Sequence, residues 1–200
     1  MSSEAIRVFS ASAEDIIINP RELAARLKTG VGFENEQIER CAQRLRRVLQ
    51  YRCAYIRTGV DLSRENVCDF GFMSIPSKHL YRNLSGCQEV FLLAVTTGIE
   101  TDRLLMKLDL TSQAEHFMTD ALASAAIESF CDYASDRIRQ GLFCANRFSI
   151  GYGDVPLSFQ KPFLERLQAR QLLGITLNDA YFMTPVKSIT AIMGIKNKQD

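Results

Sequence analysis

The chain has 200 residues, 46% of them hydrophobic, with 24 basic against 23 acidic side chains and a formal net charge of +1. This composition describes a soluble globular domain and excludes a disordered or low-complexity chain, while the balanced charge argues against nucleic acid or an anionic membrane as partner. No apolar run approaches the roughly 20 residues of a bilayer span, and Met1-Ser-Ser-Glu-Ala-Ile-Arg7 lacks the basic-then-apolar pattern of a signal peptide, so the expected location is the cytoplasm.

In chain order, residues 4–10 read as a strand, and Ile16-Ile17-Ile18 leads into Asn19-Pro20. Asn19 can cap a helix whose first turn accepts Pro20, predicted to run to about Lys28 before Gly30. Ile38, Ala42, Leu45 and Leu49 recur at three- and four-residue steps and predict an amphipathic helix over 34–51, its arginines on a solvated face. Strands are predicted over 53–58, over 67–73 with Gly71 inside, and over 89–97. The last is continuously apolar, as a strand covered on both faces would be. Short helices are expected over 77–83, started by Pro76-Ser77, and over 102–108 after Gly98.

The longest helix is predicted over 112–141. Small residues from Ala121 to Ala126 permit close approach of another element, and Phe117, Ala121, Ser124, Ile127, Cys131 and Ile138 mark a buried stripe. Glu128, Asp132 and Asp136 form an i, i+4 acidic ladder that costs a few tenths of a kcal/mol unless cations answer it; Arg137 and Arg139 are the local candidates. A helix over 157–172 follows, with Pro162 tolerable near its first turn and Gly174 ending it. Strands over 175–177 and 188–195 are joined through a turn at Met183-Thr184-Pro185. The irregular mixture predicts an α+β fold: one domain over 1–200, a mixed or antiparallel sheet, a long central helix and flanking helices.

Six cysteines are scattered without a C-x-x-C pair, and His79 and His116 form no metal-binding motif, so the cysteines read as small buried hydrophobes and no metal site is expected. No Walker A sequence, Rossmann glycine turn or Gly-x-Ser-x-Gly elbow is present. What carries chemistry is Arg147-Phe-Ser-Ile-Gly-Tyr-Gly-Asp-Val-Pro156. Gly151 and Gly153 allow positive-φ turns that bring backbone N–H groups up to a ligand, with Tyr152 on the pivot between them. Arg147 offers a fork suited to a carboxylate or phosphate, and Asp154 an acceptor for a cationic or hydroxylated group. The same residues would also serve as a plain glycine-rich turn between a helix and the next element.

This stretch, with Leu173-Gly-Ile-Thr-Leu177 and Met183-Thr-Pro-Val-Lys-Ser-Ile-Thr-Ala-Ile-Met-Gly-Ile195, resembles the activation, or S-adenosylmethionine-binding, domain of cobalamin-dependent methionine synthase. It is most similar to the short stand-alone form. The likeness extends upstream through Asp120-Ala-Leu-Ala123, Ile127-Glu128 and Thr96-Thr-Gly-Ile-Glu-Thr-Asp102. It covers 80–195 well and 1–79 weakly.

The resemblance implies an activation subunit that binds S-adenosylmethionine and supports reductive methylation of cob(II)alamin carried by a methionine synthase core or related corrinoid protein, with a flavodoxin-like reductant. By the same resemblance Arg147, Gly151, Tyr152, Gly153, Asp154 and Glu128 would form the ligand site. Tyr152 would sit beside the transferring methyl and the corrin face, and Lys187 and Ser188 would shape the ligand turn or close a hairpin. The chain lacks the tandem tyrosine pair found near the end of the large family members, and it has no Asp-x-His-x-x-Gly corrinoid motif. A docking factor or chaperone for a corrinoid protein that has lost S-adenosylmethionine binding is the alternative. A different S-adenosylmethionine-using enzyme on a borrowed fold is a third reading, although no added acid–base pair points to it.

Overall fold

A four-stranded antiparallel sheet in the order β1-β2-β5-β8 forms the centre of the computed structural model, which describes residues 5–27 and 35–196. The strands are β1 (Arg7–Ala11), β2 (Tyr51–Gly59), β5 (Glu89–Thr96) and β8 (Ser188–Ile195). β5 is the inner strand between β2 and β8, with Leu93 opposite both Tyr55 and Ala191. Its apolar run is explained by cover on both sides: Val90, Leu92 and Ala94 enter one core, and Phe91, Leu93 and Val95 the other.

The second of these faces packs on α5 (Gln113–Arg139), whose buried side includes Ala126, Ile127, Phe130, Cys131, Ala134 and Ile138. Ser112 starts this helix by accepting a hydrogen bond from the Glu115 N–H, and Gln140 ends it in the left-handed conformation. A third core joins α5 near its N-terminus to α2 (Asn35–Arg46), with Cys41, Ala42 and Leu45 against Met118, Leu122 and Ala123. The small residues between Ala121 and Ala126 allow these elements to approach closely, as their sizes imply. α1 (Pro20–Leu27) lies against the same long helix, and α4 (Ile99–Thr111) precedes it. The opposite sheet face is covered by α3 (Lys78–Asn83), α6 (Gln160–Arg166), α7 (Ala169–Leu173) and the hairpin of β3 (Val67–Asp69) with β4 (Ser74–Pro76). This is the expected α+β class, with an antiparallel sheet and one long central helix.

Several local expectations are corrected. The predicted helix over 34–51 ends at Arg46, because Tyr51 is needed on the sheet opposite Ala11; Glu34, like Lys28 and Gly30, lies outside the described residues. The predicted strand over 67–73 is half of a hairpin. Gly71 takes φ +80° in its turn, and the Phe70 N–H donates to the Met73 carbonyl at 2.9 Å. The predicted 157–172 helix is a 3₁₀ turn (Leu157–Phe159) followed by α6 and α7, broken where Gln168 adopts φ +49° so that both Leu164 and Leu173 stay buried. Met183-Thr184 is strand β7, paired with β6 (Thr176–Leu177), rather than a turn, and the bend falls at a cis Thr184–Pro185 bond. Phe117 is 41% exposed, and Met118 takes the buried place assigned to it.

Candidate functional site

The position of Arg147 follows from how the chain leaves α5. Gln140 and Gly141 both have positive φ, which reverses the chain after the helix. The strand-like run after it pairs with the open edge of β8. Ala145 N–H donates to the Gly194 carbonyl at 2.8 Å, and Phe148 and Ile192 exchange two hydrogen bonds at 2.9 and 2.8 Å. Phe148 then packs toward the α6 side of the sheet, and alternation sends its neighbour Arg147 to the α5 side.

There the guanidinium is 2.8 Å from the Asp132 carboxylate and 3.7 Å from that of Glu128, and it points over 3.5 Å at the Ser135 hydroxyl. Glu128 is also 4.0 Å from Arg26 of α1. In the acidic ladder Glu128 and Asp132 are thus answered by Arg147 and Arg26, and Asp136 by one of the two local candidates. Arg139 does reach Asp136 at 3.4 Å, but Arg137 lies over the Phe9 ring and donates to the Tyr133 hydroxyl. Asp132 remains 64% exposed and Glu128 36%, so both carboxylates face solvent. Burial pushes the Cys131 thiol beneath them up to about 12, against a smaller downward pull from Arg147.

The Gly-Tyr-Gly-Asp turn sits beside this cluster in sequence and is rigidly held. Gly151 has φ +89° and Gly153 φ +61°; a Cβ on Gly151 would stand 2.7 Å from Leu157 Cδ1, and one on Gly153 2.5 Å from His79 Nδ1. Ile150 and Val155 are buried at either end, while Tyr152 at the apex is 69% exposed. Asp154, although exposed, is bound to α3. Its carboxylate accepts a short hydrogen bond from the Ser77 hydroxyl, one from the Lys78 N–H at 2.8 Å and a longer one from His79 N–H at 3.4 Å. The turn is therefore fastened to the N-terminus of α3, where aligned N–H groups favour an anion. The Ser77 bond above all, then these N–H groups, hold the Asp154 carboxyl below the usual carboxylate range.

Lys187 enters from the connection between β7 and β8. Its Nζ donates to Asp120 at 2.7 Å and to Ser124 at 2.8 Å, and its side chain is only 11% exposed. Val186 N–H donates to Asp102 Oδ2 of α4 at 2.8 Å, and burial raises the Asp102 carboxyl above its ordinary value. Ser188 is interior: its hydroxyl donates to the Pro185 carbonyl at 2.7 Å and lies 2.9 Å from Thr96 Oγ1. The structure thus gathers Arg147 and Glu128 within ion-pair distance, brings Lys187 from the β7–β8 connection onto α5 one turn before Glu128, and turns Asp154 and Ser188 to structural partners.

Asp120, Ser124, Glu128 and Asp132 form one polar stripe along α5 at steps of four, clamped at one end by Lys187 and at the other by Arg147. Sequence reasoning stopped short of this stripe because it read the ladder as 128–132–136 and Ser124 as core. Extending the step of four backwards would have found it. Arg26 carried no local signal, since only the packing of α1 on α5 brings it near.

No protein-family description and no curated protein matches this chain. Among solved structures, a MetH reactivation domain bound to AdoHcy superposes with a TM-score of 0.68 over 100% of this chain and 81% of that one, at 17% identity. The two share a fold.

Proposed function

We propose that this chain, built on the fold of that reactivation domain, acts as an activation subunit for a cobalamin-dependent methionine synthase and binds S-adenosylmethionine or S-adenosylhomocysteine at the Arg147 cluster. The observation that carries the reading is the charge pattern there: one partly covered guanidinium against two carboxylates that stay open to solvent. An amino-acid end group needs this set. Its carboxylate would take the fork of Arg147, and its ammonium would face Glu128 and Asp132. Tyr152 would lie against the sulfonium and the flat face of a partner-borne corrinoid.

S-adenosylmethionine would supply a methyl group and a flavodoxin-like donor one electron, which convert cob(II)alamin on the partner to methylcobalamin and leave S-adenosylhomocysteine. The residues of this chain would contribute position and charge rather than proton transfer. Calorimetric titration with S-adenosylmethionine, alone and with a cob(II)alamin-loaded methionine synthase core, tests the reading. Binding that appears or tightens with the partner supports it, and no binding in either arm overturns it. One observation favours the alternative of a corrinoid-protein docking factor without this ligand. Arg147 already holds Asp132 at 2.8 Å, so a ligand carboxylate must compete for its donors. Partner docking with no ligand uptake would select that alternative.

A further inference from the structure

We infer that the open cleft beyond the C-terminal end of α5 binds a planar ring carrying a phosphate group. The helix stops at Arg139 and the chain swings away toward β8, so among the described residues no helix covers the far end of the sheet's α5 face. What remains is a cleft of about 590 Å³, a volume within the range of small-molecule sites. Its floor is aromatic: Tyr55 and Phe91 meet edge to face, with centroids 6.3 Å apart, and Ile138 and Leu142 form the apolar wall. Such a floor presents ring edges and faces on which a planar group can pack.

The rim is basic. Arg57 is held upright by Glu89 through two bonds, at 3.0 and 2.5 Å, which fixes the direction of its fork. Arg7, on the edge strand β1, lines the same cleft, and its guanidinium has no ion-pair partner among the described residues. A smaller adjoining cleft of about 250 Å³ shares Arg57, Glu89 and Leu142 and adds Lys196. Three cations thus face one carboxylate on a chain whose net charge is only +1. That excess suits a dianion better than a carboxylate. The cleft shares no residue with the Arg147 cluster, so this inference does not depend on the proposed S-adenosyl ligand.

Titration of isotope-labelled protein with phenyl phosphate, followed by amide chemical shifts, tests it. Saturable shifts are expected at Tyr55, Gly59 and Leu142, with weaker binding of inorganic phosphate and of benzyl alcohol. Arg7→Glu, on an exposed edge position, is expected to weaken phenyl phosphate about tenfold or more. Leu142→Glu, which places a carboxylate in the wall, is expected to do the same and serves if the first variant folds poorly. S-adenosylhomocysteine is not expected to compete. No saturable shift overturns the inference, as does inorganic phosphate binding as tightly as phenyl phosphate, or shifts confined to the Arg147–Gly153 turn.

Discussion

Arg147 and Asp132 meet at 2.8 Å although one lies in the run bridged to the edge of β8 and the other on the long helix α5. The contact ties the chain that leaves α5 back onto the helix it left. It also means that the most suitable ligand-binding cation of the motif carries a structural load before any ligand arrives.

Arg147→Ala is therefore expected to act twice. S-adenosylmethionine affinity should fall by about 1.5–3 kcal/mol, the range for hydrogen bonds to charged groups. Stability should fall as well, because Asp132 would lose its 2.8 Å partner one turn from Glu128, which among the described residues would keep only Arg26 at 4.0 Å. Asp132→Asn separates the two effects. Calorimetry and thermal melts on both variants should show Asp132→Asn losing stability while retaining more of the binding. Unchanged affinity in Arg147→Ala would remove Arg147 from the site.

The Lys187 clamp should respond to deletion more strongly than a surface ion pair. With 11% of its side chain exposed, Lys187→Met is expected to cost about 1–2 kcal/mol, softened by the 45% exposure of Asp120. A double-mutant cycle with Asp120→Asn should return a coupling near 1 kcal/mol by denaturant unfolding. A coupling of zero would show that the contact merely coexists with other packing.

Gly151 is expected to resist substitution for two reasons. Its φ of +89° is strained for any side chain, and a Cβ would meet Leu157 at 2.7 Å. Gly151→Ala should destabilise by about 1–3 kcal/mol through backbone strain and overpacking. It should also displace Tyr152, so binding of the partner protein would weaken more than the melting temperature alone explains.

Acid should act through Asp154. Its carboxyl titrates below the ordinary range in the folded protein because of the Ser77 hydroxyl and the α3 N–H groups. The stabilisation is then present above the unfolded carboxylate pKa and is lost as pH falls through the lower folded value. Asp154→Ala should melt earlier than the parent near neutrality, and the gap should close as the pH is taken below the carboxylate range. A gap constant with pH would assign the effect to packing instead.

Much of this architecture is legible from the chain itself, because it rests on short-range rules. Asn19 accepts from the Arg21 N–H at 3.0 Å as a cap should, Ser112 and Ser77 cap their helices, and the apolar run of β5 is covered on both faces. The glycines at 151 and 153 mark a tight turn, and positive φ confirms the reason. Tertiary structure alone decided what each polar group meets. Asp154 is engaged because α3 presents its N-terminus there, Arg147 is brought to Glu128 and Asp132 by an edge pairing with β8, and Arg26 and Lys187 reach α5 from opposite ends of the chain. Local spacing encodes caps, turns and periodicity, whereas the partner of a charged side chain depends on which distant backbone packs beside it, and one chain read in order holds no record of that.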